Sequence, residues 1–403
     1  MQRALVLLFF LLSAAPAWAQ GSRTPELTPM ARVSLITVYP GDTIEAQFGH
    51  SAIRVRDPGW GIDWVYNYGT FDWEDPTFLA RFIAGQLDYR LGTADYGPMV
   101  PFYQRLGRPI VEQRLALTGE ERQALFAFLE RNALPEHREY RYKFLVDNCA
   151  TRIRDVFELV LGDRLDWGEP AAAGLSYREV LMPHFGAEPW VRLGVDLALG
   201  ADADQVMTGR EAMFLPVPMA EAFAGARVER DGEFEPLVSR TRKVYWPANA
   251  GTVEPWRIWP GVAGWGLLVG GLVLTGTSVR RRRRGSGETS ADWGMWGRRA
   301  DALLLGVVGV VGLVMAGLWA LTEHDVTGPN WNLLWAWPTH LLAALAVWRG
   351  WWPGAVRWYL VATGVGCLVT LAGWWAWPQA LPAPVVPLIL LIGARVALRA
   401  RGS

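Results

Sequence analysis

Five apolar runs fill the last third of the chain and restrict what it can become. They cover residues 259–279, 302–321, about 333–348, 358–377 and 385–398. A helix needs about 20 apolar residues to cross a bilayer, and backbone in lipid must satisfy its own hydrogen bonds. The first, second and fourth runs reach that length, and the third and fifth are shorter. The expectation is an all-α bundle of about five transmembrane helices. Sixteen of the 23 tryptophans lie from Trp256 onward, many at run ends, as helices anchored at the membrane interface require.

The loops between the runs set the orientation. Arginines at 280–284, Arg298 and Arg299 follow the first run, Arg349 and Arg357 follow the third, and Arg395, Arg399 and Arg401 close the fifth. The loops after the second and fourth carry no Lys or Arg. Positive charge stays in the cytoplasm, so the C-terminus is expected there and everything before the first run outside. The other end of the chain agrees. Arg3, an apolar core at 4–12 and Ala17-Trp18-Ala19 read as a signal peptide over residues 1–19. The expected order is an extracytoplasmic domain at 20–246, a linker at 247–257 and a helical membrane domain at 258–403.

Zero net charge hides an asymmetry. Residues 20–256 carry 25 Lys and Arg against 34 Asp and Glu, whereas the remainder to the C-terminus carries 13 against 5. The basic residues flank apolar runs, which fits a membrane and argues against nucleic acid as a partner.

The outer domain reads as α+β. Residues 32–38 alternate as a strand, residues 50–55 and 63–68 follow as two more, and 76–85 suggests a short helix with Gly at its end. Thr118 to Glu121 is a capping box ahead of a helix reaching about Asn132. Residues 214–225 suggest another helix, and Asp231-Gly232 a hairpin turn.

Only two cysteines occur, Cys149 and Cys367. Cys367 falls in a membrane run, so no disulfide framework is implied. Cys149 follows Asp147-Asn148 and precedes a helical pattern of Ile153, Val156, Phe157, Val160 and Leu161. That puts the thiol at a helix N-terminus, where unpaired N–H groups and the helix dipole favour thiolate. A buried structural cysteine is the bland alternative. A nucleophilic thiol needs a base, and among five histidines His50 is best placed, at the start of a strand behind Gly49. Asn67, or else Asp63, on the next strand is the candidate to hold the imidazole in its useful tautomer. No metal-ligand spacing occurs, and no cofactor is expected. One outward loop, from Glu323 through Trp335, concentrates polar groups at the membrane face and reads as a substrate lip or as a solvated turn.

A histidine strand followed about a hundred residues later by an Asn-Cys helix start resembles circularly permuted members of the NlpC-type papain-like superfamily. With the membrane bundle added, the chain resembles bacterial lipoprotein N-acyltransferases of the Lnb type. The likeness is carried by FGHSAIRV at 48–55, YNYGTF at 66–71, DNCATRIRD at 147–155 and the loop at 324–334. It implies a permuted papain-like domain in the periplasm, anchored in the bacterial inner membrane. It also implies transfer of a fatty acyl chain from a phospholipid donor to the α-amine of an apolipoprotein acceptor, with catalytic Cys149 and His50. Asn148, Arg152 and Tyr66, with His324 and Asn330 of the outward loop, are the substrate-contact candidates. The rival expectations are a membrane-anchored cysteine peptidase or amidase acting on cell-wall peptide, and a binding module with a structural Cys149.

Overall fold

The computed structural model describes residues 24–401 apart from 44–45, 72–74, 187, 249–257, 284–286 and 352. The signal-peptide stretch at 1–19 and most of the 247–257 linker lie outside the described residues. The chain divides into two units, residues 1–180 with 206–254, and residues 181–205 with 255–403.

The first unit is built on a seven-stranded antiparallel sheet. Its strands are β1 (Arg32–Val38), β2 (His50–Asp57), β3 (Ile62–Thr70), β4 (Leu87–Asp95), β5 (Ile110–Leu115), β6 (Glu139–Tyr142) and, later in the chain, β10 (Val238–Tyr245). They lie in the order β10-β5-β1-β2-β3-β4-β6. The helices are α1 (Phe78–Ala84), α2 (Tyr96–Arg105), α3 (Gly119–Ala133), α4 (Cys149–Leu161), α5 (Tyr177–Leu181), which runs one residue into the second unit, and α7 (Pro216–Gly225). A small sheet of β7 (Leu165–Asp166), β8 (Arg227–Arg230) and β9 (Glu233–Pro236) completes it, its hairpin turning at Asp231 and Gly232 with positive φ at both.

β1 is buried on both faces. Val33 and Leu35 join Ile53, Val55 and Tyr66 in a core closed by Leu125 and Leu129 of α3, Ile153 and Phe157 of α4, and Phe223 of α7. Ile36 and Val38 join Ala52 and Val65 under Tyr96, Met99 and Tyr103 of α2. Each such side chain, fully removed from water, contributes about 1.5–3 kcal/mol, so the two central strands are the most firmly held. Arg54 lies on the α2 side, buried, with a bidentate pair to Asp63 at 2.7 and 2.8 Å, a bond to Glu112 at 2.8 Å and the Tyr96 ring 3.4 Å away. The capping box at Thr118 forms as expected. Sequence periodicity did not anticipate α2, whose Pro101 and scattered polar residues blur the helical stripe.

The second unit holds α6 (Pro189–Ala198), α8 (Pro260–Arg283), α9 (Gly287–Leu321), α10 (His340–Arg349), α11 (Gly354–Ala372) and α12 (Val386–Arg401). Four stretches are long and apolar enough to cross a membrane: Pro260–Thr277, Met295–Leu321, Gly354–Ala372 and Ala383–Ala400. The fifth run thus reaches spanning length. The third yields only the ten-residue α10, because Pro338 lacks the N–H a helix needs and disfavours helical backbone at Trp337. A short 3-10 turn, Trp331–Leu334, occupies the run's start.

Polar contacts tie this unit together at two places. Asp301 of α9 is buried and accepts from Arg395 Nε at 2.6 Å and Nη2 at 3.0 Å, and from Arg399 Nε at 2.6 Å. Arg395 also donates to Thr275 Oγ1 of α8. At the loop after α9, Asn330 donates to the Leu197 carbonyl at 2.7 Å, and Gln379 bridges the Trp331 N–H at 2.6 Å and the Leu199 carbonyl at 2.8 Å. Leu193 and Leu197 of α6 pack against the bundle's apolar cluster.

Candidate active site

Cys149 is the first residue of α4, and Asn148 caps the helix. The Asn148 side chain accepts from Ala150 N at 2.8 Å and Thr151 N at 3.0 Å. Thr151 Oγ1 in turn accepts from Asn148 N at 2.8 Å, and the Asn148 side-chain amide donates to the carbonyls of Phe144 at 2.6 Å and Phe214 at 2.8 Å. This cap fixes where the sulfur points. It also engages Asn148 on both sides of its amide, so we assign it the positioning of the helix start rather than substrate contact.

His50 opens β2 directly behind Gly49, whose φ is +80° and whose hydrogen faces the Val38 carbonyl where a Cβ would lie 2.7 Å away. Its Nε2 is 3.1 Å from Asn67 Oδ1 on β3. A carboxamide oxygen only accepts, so the ring carries its proton on Nε2 and leaves Nδ1 as the basic nitrogen. Of the two candidate ring partners, Asn67 makes this bond and Asp63 is held by Arg54. β3 pairs with β2 from Ile53↔Tyr66 outward, and a register shift follows Asn67. The Ser51 N–H, beyond that pairing, reaches the Cys149 sulfur. Nucleophile and imidazole are therefore brought to one rim of the sheet, the thiol touching the residue next to His50.

The electrostatics differ from the expectation of a ready thiolate. Burial pushes the Cys149 thiol up from its ordinary value, and this outweighs the opposing pull of the N–H groups of Ser51, Ala150 and Cys149 itself and of the Arg108 cation. Burial also drives His50 down to about 4, against the Asn67 hydrogen bond and with help from Arg108. Both groups are therefore neutral at rest, one a thiol and the other an imidazole. Desolvation wins because a helix terminus supplies only partial charges, whereas burial penalises a full one.

Other predicted residues take different places. Tyr66 is fully buried, and its hydroxyl bonds Glu130 of α3 at 2.5 Å, so it faces the core, away from the Asn67 side of β3. Arg152 forks onto Asp147 at 2.5 and 2.7 Å and lies over the Tyr140 ring at 4.0 Å. In the second unit, Asn330 is buried and engaged with Leu197, and His324 is half-buried. Among the described residues no cluster of His, Cys, Asp and Glu suits a metal.

Sequence reasoning missed three features beside the thiol. Arg108, buried, donates to the Tyr39 carbonyl at 3.1 Å and acts electrostatically on both Cys149 and His50. Tyr140 and Tyr142, two apart on β6, both sense the thiol; the Tyr-x-Tyr spacing just upstream of the cysteine was the available signal. The third is a ladder of rings. Tyr142 stacks on Tyr89 at 4.2 Å, Tyr89 on Phe71 at 4.8 Å, Phe71 on Phe78 at 5.1 Å, and Phe82 follows at 6.1 Å. Tyr89 lies by Cys149, whereas Phe82 is 49 % exposed on α1.

An α+β domain with a cysteine and a histidine gathered at one sheet rim, joined to a unit of membrane-length helices, defines a class of membrane-associated proteins. Residues 24–181 match the family model described as the Lnb N-terminal periplasmic domain, and residues 253–401 match the one described as the Lnb transmembrane domain. The chain belongs to the Lnb family: it is an inner-membrane protein of lipoprotein maturation with a periplasmic N-terminal domain. No curated protein and no solved structure matched the chain.

Proposed function

We propose that this protein moves a fatty acyl chain from a phospholipid to the N-terminal amine of diacylglyceryl-cysteine lipoproteins through a thioester on Cys149, by papain-like chemistry. The observation that carries the reading is the thiol at a capped helix start, hydrogen-bonded by the residue next to the His50–Asn67 pair. His50 Nδ1 takes the thiol proton as the sulfur adds to the ester carbonyl. Collapse expels the glycerol oxygen, which recovers that proton, and a lysophospholipid leaves. The amine then attacks the thioester, and the thiolate departs as His50 takes the amine proton. Because the resting pair is neutral, proton transfer accompanies attack. Both substrates are membrane-anchored, which gives the helical unit a purpose beyond anchoring. The cytoplasmic C-terminus expected from the arginine loops belongs to the same proposal.

The test is intact-protein mass analysis after incubation with phospholipid vesicles. The expected result is an acyl-sized adduct on Cys149 that neutral hydroxylamine removes. An unmodified cysteine, together with cleavage of a cell-wall peptide, would transfer the reading to the peptidase alternative.

The ring ladder favours lipid over peptide. It offers a continuous row of apolar ring faces against which an acyl chain can lie. Each methylene laid against such a surface is worth about fourfold in kcat/KM. In Phe71→Ala the ratio of long-chain to short-chain donor kcat/KM is expected to fall by roughly tenfold or more. A chain-length series of phosphatidylethanolamines measures it, and an unchanged ratio removes the ladder from acyl binding.

A further inference from the structure

The tetrahedral intermediate needs hydrogen-bond donors aimed at its oxygen. At a cysteine opening a helix, the expected pair is the nucleophile's own N–H and that of the next residue. Here the second is taken, because Ala150 N donates to Asn148 Oδ1 at 2.8 Å. The cap that orients the sulfur thus removes a donor from the oxyanion.

A replacement stands opposite. Tyr140 is 7 % exposed, and its hydroxyl is buried with no hydrogen-bond partner among the described residues. A buried hydroxyl without a partner loses the full worth of its solvation and calls for a reason. Its ring is fixed by Tyr68, edge-on at 6.1 Å, and by the Arg152 guanidinium. Between it and the thiol lies Gly69, on the β3 irregularity. A methyl group at Gly69 would sit 3.9 Å from both the Cys149 Cβ and the Tyr140 Oη, and φ at Gly69 is +93°, which disfavours any side chain. Thiol, phenol and bare backbone converge there, with Tyr89 Cδ2 also 3.9 Å away, and we place the carbonyl under attack at this point.

We propose that Tyr140 is a catalytic residue whose hydroxyl donates a hydrogen bond to the oxyanion formed when Cys149 adds to an acyl carbonyl. This rests on the thioester reading above. The sulfur–carbon bond forms, the carbonyl π pair moves to oxygen, and the Tyr140 O–H shares its proton with that oxygen without transferring it. On collapse the C=O returns and the carbon–oxygen bond to glycerol breaks, the released alkoxide taking its proton from His50. The same donor serves the second half, when the amine adds and the sulfur leaves. Burial and the neighbouring thiol hold the Tyr140 phenol far above its ordinary range, so it stays protonated at any working pH.

Tyr140→Phe tests this, because it keeps the ring contacts and removes only the unpartnered oxygen. The acylation burst with p-nitrophenyl butyrate is expected to slow by about a hundredfold. Iodoacetamide should alkylate Cys149 within about twofold of the wild-type rate, and the thermal midpoint should stay or rise, since no hydrogen bond is lost. A burst within threefold of wild type overturns the proposal, as does a slower burst accompanied by an equal loss of alkylation or a lower midpoint. The activated ester separates the two readings. A wild-type burst with this ester but no adduct from phospholipid rejects the lipid donor and leaves the Tyr140 test intact.

Discussion

Cys149→Ser is expected to leave a folded protein with acyl transfer reduced roughly 10⁴-fold or more. The sulfur is replaced by an oxygen far harder to deprotonate, and its partner is a weak base, His50 being held near 4 by burial. His50→Ala should lose activity on a comparable scale, and the double variant should be little worse than either, since the two groups act as a unit. Transfer of a fluorescent acyl chain, read beside circular dichroism, measures all three. The neutral resting pair adds a pH signature. A depressed imidazole and an elevated thiol place the limbs of the rate profile near 4 and above the thiol's ordinary 9. Activity should therefore stay level through neutrality, and iodoacetamide should modify Cys149 slowly at pH 6 and faster toward alkaline pH. Rapid alkylation that levels off below pH 7 would mean a preformed ion pair and would contradict the account of burial given above.

Asp301→Ala carries the largest expected loss of stability. The carboxylate is nearly inaccessible and answers two arginines of α12. Removing one partner of a buried ion pair costs about 3–5 kcal/mol, because the charges left behind have neither water nor a counter-ion. In detergent the apparent Tm should fall on the order of 10 °C. Arg399→Met should cost less, since Arg395 keeps its two-pronged bond. A fall of only a degree or two in Asp301→Ala would mean that this cluster is solvated in the native protein.

Much of this architecture was legible in the residues. Alternation at β1, the capping box at Thr118 and the hairpin at Asp231-Gly232 are local signals, and each produced the expected element. The helix start at Cys149 and the strand start at His50 were equally local. What sequence could not supply was direction and competition. Tyr66 and Asn67 are neighbours in a motif, yet strand alternation sends one to Glu130 and the other to His50. The family resemblance made Asn148 a substrate-contact candidate, whereas its side chain is engaged by the orphan N–H groups of the helix start. The helix terminus suggested an acidic thiol, and only the packing around it reveals that desolvation prevails. Tyr140 was visible as half of a Tyr-x-Tyr pair, but not the state of its hydroxyl: a missing hydrogen bond leaves no mark in sequence.

The chain's route between its two units has a practical meaning. It leaves the sheet unit after Val180, contributes α6 to the helical unit, returns at Val206 and departs again after Glu254. Three covalent passages join the halves, so cleaving the final linker would free neither. An excised periplasmic fragment ending near residue 246 would carry α6 with Leu193 and Leu197 stripped of their cover. Such a fragment should be prone to self-association, and replacing residues 181–205 by a short polar bridge is the alteration that would make it well behaved in water.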